Sequence, residues 1–165
     1  MVVNCACRII QTQLPSMEHG KIRIIIADDH QMIRETWKLL LEQDKRFLVI
    51  AECTNGTEAI QAANKMNADI ILMDINMQPI NGFEATKKIL KKTPSARIIG
   101  ISVNNQPSYA RNILHLGARG FVTKDSSKEE MIEAIITVHG GGRFISHDVK
   151  EKLQRPGDTS PESQH

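Results

Sequence analysis

Two adjacent carboxylates, Asp28 and Asp29, follow directly on the apolar run Ile22–Ala27. Later apolar runs also end in groups that can do chemistry. Asp74 follows Asp69–Met73, Ser102 follows Arg97–Ile101, and Gly120–Thr123 leads into Lys124. Two carboxylates about 4 Å apart repel by ~1 kcal/mol in water and by several at a partly buried position, so a cation is expected to offset them. Three carboxylates with room for water suit a hard, oxygen-preferring ion such as Mg²⁺. Zinc suits them poorly, because His30 is the one nitrogen ligand nearby and no cysteine falls close in the pattern. His30 stands where a helix would begin. A divalent cation beside a lysine ammonium also makes a seat for a phosphoryl group.

The elements that must position these groups can be read from the hydrophobic pattern. The runs Ile22–Ala27, Phe47–Cys53, Asp69–Met73, Arg97–Ile101 and Gly120–Thr123 are mostly rich in Ile and Val and do not alternate with polar residues, as expected of strands buried on both faces. Between them lie helical stripes: Ile33, Trp37, Leu40 and Leu41; Ala59, Ala63 and Met66; Phe83, Thr86 and Leu90; Tyr109, Ile113 and Leu116; Met131, Ile135 and Val138. Asn55 to Glu58 and Ser127 to Glu130 have the spacing of a capping residue followed three later by Glu, while Gly117 and Gly140–Gly142 mark helix ends. The order is β-α five times over, which calls for right-handed crossovers and a parallel sheet. With strand order 2-1-3-4-5, ligands bind beyond the carboxyl ends of the first and third strands. Asp28, Asp29, Asp74, Ser102 and Lys124 then converge there, while the second strand, ending at Cys53-Thr54, is an edge away from the site. Each residue alone has an ordinary structural reading as a helix cap, a turn hydroxyl or a solvated lysine. The joint placement is what points to a site.

Composition narrows the class. The chain has 165 residues, 41% hydrophobic and 24% charged, with net charge +2. This is ordinary globular composition, and too little charge to imply nucleic acid or an anionic membrane by itself. No apolar run approaches the ~20 residues of a membrane span, and the start lacks the pattern of a signal peptide. Three cysteines, Cys5, Cys7 and Cys53, argue against a disulfide framework and for a reducing, cytoplasmic setting. Residues 1–20 read as an N-terminal tail, 21–142 as the folded domain, and 143–165 as a linker-like tail with a short helical turn.

DDH, DINMQPINGFEAT, IIGIS and GARGFVTK together resemble the receiver domain of two-component response regulators, over about residues 21–140. DDH, NGFEAT and GARGF are most similar to the subgroup whose members carry a C-terminal helix-turn-helix. The resemblance implies a flavodoxin-like (βα)5 fold and a phosphoacceptor at Asp74. It implies Mg²⁺ held by Asp28, Asp29, Asp74 and the backbone carbonyl of Asn76. It also implies a switch pair, Ser102 and Phe121, and a phosphate-binding Lys124. The partner implied is a histidine kinase or phosphotransfer protein. Asn76 and Asn104 fall where the family tunes dephosphorylation, and Val103 adds bulk beside Ser102. The output surface implied is the fourth helix, fifth strand and fifth helix, which is expected to support a homodimer.

Several positions depart from the family pattern. The family's proline comes four residues after the acceptor; here Gln78 is there and Pro79 follows. Phe121 has no hydroxyl, and Asp125 stands where many relatives have proline. No DNA-reading element is recognisable after Ile145, so DNA binding is not expected from these residues; the alternative is the N-terminal receiver of a longer DNA-binding regulator. A phosphohydrolase is disfavoured because Asn76, not a second Asp, lies two residues after Asp74. A flavin module is disfavoured because Asp28 and Asp29 would repel its phosphate.

Overall fold

In the computed structural model, residues 20–155 are described. Six strands, β1 (Ile22–Ala27), β2 (Phe47–Cys53), β3 (Ile70–Asp74), β4 (Ile98–Ser102), β5 (Gly120–Thr123) and β6 (Phe144–Ile145), alternate with six helices. These are α1 (Gln31–Glu42), α2 (Gly56–Lys65), α3 (Gly82–Lys92), α4 (Pro107–His115), α5 (Lys128–His139) and α6 (His147–Gln154). All neighbouring strands are parallel, in the order β2-β1-β3-β4-β5-β6. The expected 2-1-3-4-5 order is therefore present, with one strand added at the β5 edge.

Alternate residues of the strands feed two cores, one on each face of the sheet. Ile24, Ile26 and Leu72 pack with Trp37 and Leu41 of α1 and with Met131, Ile135 and Val138 of α5. Ile25, Ala27, Ile71 and Met73 pack with Ala59 of α2, Ala85 and Ile89 of α3, and Ala110 and Ile113 of α4. Each wholly buried Ile or Leu contributes about 1.5–3 kcal/mol relative to exposure, which is why the strand runs are apolar on both faces. Cys53 belongs to the second core as a free thiol, and burial pushes it up to about 11, leaving it protonated and inert.

Helix starts follow their capping chemistry. The side chains of Asn55, Asn81 and Ser127 accept from the backbone N–H groups of Glu58, Glu84 and Glu130. At the end of α4, Gly117 takes φ +112°, a left-handed conformation that a side chain would strain.

Three expectations change. β3 and β4 each sit one residue later than the apolar runs suggest, so Asp74 and Ser102 are the last residues of their strands. Asp69 instead accepts from the Arg23 backbone N–H at 2.8 Å and ties the start of β3 to β1. The third change is at residues 143–154, expected as a linker-like tail. Here Phe144 and Ile145 pair with Gly120 and Phe121, and α6 buries Val149 in the second core. A two-residue strand and an eight-residue helix carry too short an apolar repeat to register as periodicity. The remaining tail expectations, over residues 1–19 and 156–165, lie outside the described residues, as do Cys5 and Cys7.

Candidate functional site

The carboxyl ends of β1, β3, β4 and β5 meet around one lysine. Lys124 Nζ stands 2.9 Å from Asp28 Oδ2 and 3.1 Å from Asp74 Oδ2, with its side chain only 6% exposed. Its backbone N–H donates to the Ser102 carbonyl at 2.8 Å, which fixes the lysine beside the end of β4. Asp28 and Asp74 are buried and Asp29 faces outward. The two buried carboxylates repel each other, and the ammonium between them offsets that repulsion within the molecule.

Each carboxylate is also held by local backbone. The Asp28 carboxylate accepts from the His30 N–H at 2.8 Å, where α1 begins. Arg34 Nη1, one turn into α1, donates to the Asp28 carbonyl at 2.8 Å. Asp74 Oδ1 accepts from the Asn76 N–H at 3.2 Å. The loop leaving Asp74 includes a cis Gln78–Pro79 bond, at the position where the sequence departs from the family pattern. It returns to α3 at Gly82, where a Cβ would collide with the Asp74 carbonyl oxygen and come within 2.7 Å of Ile75 Cα. Glycine is required there because α3 begins against the backbone at the end of β3. Gly56 has the corresponding place at α2, where a Cβ would lie 2.5 Å from the Ile80 carbonyl oxygen.

Burial, and secondarily the charge of Asp28, pushes the Asp74 carboxyl up to about 6, against the opposing pull of Lys124. Asp74 Oδ2 accepts no aligned hydrogen bond, although the Lys124 ammonium is in ionic contact with it. Ligand atoms of Asp28, Asp29, His30 and Asp74 all lie within 4.8 Å of one another. Oxygen donors from three carboxylates, one of them buried and short of a hydrogen-bond partner, form a donor set that fits a hard cation.

The remaining residues singled out from sequence divide clearly. Ser102 is fully buried, and its Oγ accepts from the Asn104 N–H at 3.0 Å. Val103 is 68% exposed beside it, and Asn76 is exposed on the rim. Phe121 is wholly buried in the second core, three residues before Lys124. Sequence reasoning missed the His30 ring, whose Nδ1 lies 2.9 Å from Asp29 Oδ1, 3.2 Å from Asp28 Oδ1 and 3.4 Å from Lys124 Nζ. His30 does begin α1 as its N-cap, but its side chain caps nothing and turns onto the acids instead. It also missed Arg34 and the Asn81–Gly82 pair. The last was legible, since Asn81-Gly82-Phe83-Glu84 repeats the Asn-Gly-x-Glu spacing found at Asn55.

A doubly wound parallel sheet with an acidic, lysine-bridged cleft at its switch point defines the class of protein. The model of the response regulator receiver domain matches residues 24–136, and the chain belongs to that family. It is similar to the transcriptional regulatory protein DegU of Brevibacillus brevis, 36% identical over 137 residues, which cover 83% of this chain and 58% of that protein. Among solved structures it is similar to a LuxR-family two-component response regulator from Aurantimonas sp. SI85-9A1, with TM-score 0.78 and 31% identity over 81% of this chain and 95% of that one. It is also similar to the isolated receiver domain of RcsB from Salmonella enterica serovar Typhimurium, solved in the presence of the phosphomimetic BeF3⁻. That match has TM-score 0.72 and 27% identity over 79% of this chain and 97% of that one. The chain spans about three fifths of the length of the curated relatives it matches.

Proposed function

We propose that Asp74 accepts a phosphoryl group from a phosphohistidine of a histidine kinase or phosphotransfer protein, in a Mg²⁺-dependent reaction. The observation that carries this reading is the Lys124 ammonium, buried between Asp28 and Asp74 beside a carboxylate oxygen short of a hydrogen bond. An Asp74 oxygen attacks phosphorus, the P–N bond breaks, and the electron pair leaves with the donor imidazole. Asp28, Asp29, Asp74 and the Asn76 carbonyl would hold Mg²⁺, which when bound offsets charge on the phosphoryl oxygens. Lys124 binds one of those oxygens. Ser102 turns its hydroxyl from the Asn104 N–H toward the new phosphoryl group, and Phe121 takes up the space it vacates. Asn76 and Asn104 orient water without acting as bases, and Val103 shields the acyl phosphate, so self-dephosphorylation is slow.

The output follows from a population shift in the α4-β5-α5 surface, limited by the differential contacts of its two states. Arg111 and Arg119 lie there with Lys128, Glu129 and Glu133, and both signs of charge suit a self-complementary dimer. This reading places the chain in the cytoplasm with its kinase. A second reading, favoured by the greater length of the relatives, is that residues 20–155 are the receiver of a longer DNA-binding transcription regulator. The downstream reading frame decides between the two.

Acetyl phosphate with Mg²⁺ is expected to add one phosphoryl mass to the native chain, and Asp74→Asn is expected to abolish the addition while keeping the fold. A mass increase that persists in Asp74→Asn would refute the assignment.

A further inference from the structure

In the segment β6–α6, β6 pairs with the β5 edge and α6 rests on α4, and the hold on α6 is slight. β6 has two residues, Phe144 buried in the first core and Ile145 packed partly on the second, whereas α6 buries one side chain completely, Val149, with Leu153 packed partly on the same core. A fully buried aliphatic side chain returns about 1.5–3 kcal/mol, against about 1–2 kcal/mol of backbone entropy for every residue ordered, so two such side chains leave the eight residues of α6 weakly held. Segments with so few buried contacts open locally far more often than the core.

The polar contacts of this segment tie it to the switch positions. Asn105 Nδ2 donates to Asp148 Oδ2 at 3.1 Å, joining the β4–α4 loop to the first turn of α6. The Ser146 N–H donates to the carbonyl of Phe121 at 3.0 Å. Within the loop, Ser102 Oγ accepts from the Asn104 N–H at 3.0 Å, and Asn104 Oδ1 accepts from the Gln106 N–H at 2.8 Å. The backbone of residues 102–106, pinned by these bonds, therefore links the Ser102 hydroxyl to the Asn105–Asp148 contact. Ser146 Oγ is buried without a partner, a cost borne by the docked arrangement and relieved on opening. On the far side, Glu130 Oε1 accepts from the His147 N–H at 2.7 Å, so the start of α6 is anchored to α5 while its body rests on α4.

We propose that α6 is a releasable cover on α4, docked while Asp74 is unmodified and freed when the Ser102 hydroxyl turns to a phosphoryl group. The proposal rests on the phosphoacceptor reading of Asp74. Withdrawing Ser102 Oγ removes the acceptor of the Asn104 N–H, the loop rearranges, and Asn105 loses its alignment with Asp148. Movement of Phe121 disturbs the carbonyl that holds Ser146. Release uncovers the face of α4 on which α6 rests, so a second copy and the chain's own α6 exclude one another there.

Amide hydrogen exchange of the full chain, read by mass spectrometry on peptides covering residues 144–155, tests this. Mg²⁺ with beryllofluoride is expected to speed exchange in α6 at least tenfold, with peptides of β1 and β3 unchanged. Asn105→Ala and Asp148→Ala are expected to speed it without the analogue, while Asp148→Asn, which keeps an acceptor oxygen, is expected to exchange like the native chain. Acetyl phosphate labelling should be retained in all three. Analogue binding with α6 exchange changed less than twofold would overturn the cover and leave the phosphoacceptor reading standing. Slow α6 exchange in Asn105→Ala would likewise overturn the coupling. Failure of both analogue binding and labelling would overturn the reading itself, and the proposal with it.

Discussion

Asp74 is under opposing demands. As the proposed nucleophile its carboxylate must be ionised, yet burial and the neighbouring Asp28 raise it to about 6. Because the folded value lies above the ordinary carboxylate value of 3.8, the folded chain holds this proton more tightly than the unfolded chain between the two pH values. Stability contributed at this site therefore falls as pH rises from about 4 to about 6, and the deficit is complete above that. Asn carries no such charge. In the presence of a chelator, Asp74→Asn is expected to gain on the native chain by on the order of 2 kcal/mol above pH 6, with the gain shrinking toward pH 4. Urea denaturation across that range measures it, and a pH-independent difference would contradict the cause given for the shift. Added Mg²⁺ is expected to restore native stability by binding the folded state alone. Val103 makes a separate demand at this scale. It is 68% exposed beside Ser102, where its branched side chain can stand in the path of water. Val103→Ala is expected to speed decay of the acyl phosphate several-fold, and an unchanged decay rate would remove the shielding role.

At the scale of elements, the site depends on how closely helices approach the strand ends. α3 begins against the carbonyl of Asp74, and only a residue without Cβ fits at Gly82. The obstacle there is backbone, which cannot give way as a flexible side chain can. Gly82→Ala is expected to cost about 1–3 kcal/mol, typical of overpacking, and to displace the acceptor. Both denaturation midpoint and labelling rate should fall, and a variant native in both would show that α3 can shift freely. Much of this level was legible in the sequence. The apolar runs located the first five strands, and the Asn-Gly-x-Glu and Ser-x-x-Glu spacings located the starts of α2 and α5, as their side-chain caps bear out. The reactive strand ends fall together because the sheet takes the 2-1-3-4-5 order, one that the alternation of elements permits without imposing. What was not legible has physical causes. The His30 ring reaches Asp28 and Asp29 through a side-chain rotation that no spacing encodes, and Arg34 meets Asp28 only once α1 is docked. β6 and α6 take their places from packing on β5 and α4, and of the two only a short helical turn was legible in the sequence.

For the molecule as a whole, the added strand changes what can happen at the sheet edge. β5 is covered by β6 and α4 by α6, so association through α4-β5-α5 has to compete with the chain's own segment. Exposed ion pairs contribute only about 0–1 kcal/mol each, so dimers of the unphosphorylated chain are expected to be weak. A few kcal/mol of differential contact suffices to raise the dimer population tenfold or more. Sedimentation is expected to show a concentration-dependent dimer that strengthens with Mg²⁺ and beryllofluoride, and identical profiles would contradict the switch. On α6 and its C-cap, Lys150, Lys152 and Arg155 are interrupted by Asp148 and Glu151, which gives no continuous basic face for a groove. The described residues are expected not to shift duplex DNA at physiological salt, and specific retardation would contradict this.

Chemical trapping tests most directly whether the phosphoryl group resides on Asp74. Borohydride reduces an acyl phosphate to an alcohol and converts the acceptor aspartate to homoserine. After treatment with acetyl phosphate and Mg²⁺, peptide sequencing by mass spectrometry is expected to find homoserine at position 74 and nowhere else. Homoserine at position 28 or 29, or a stable label on His30 with Asp74 unmodified, would contradict it.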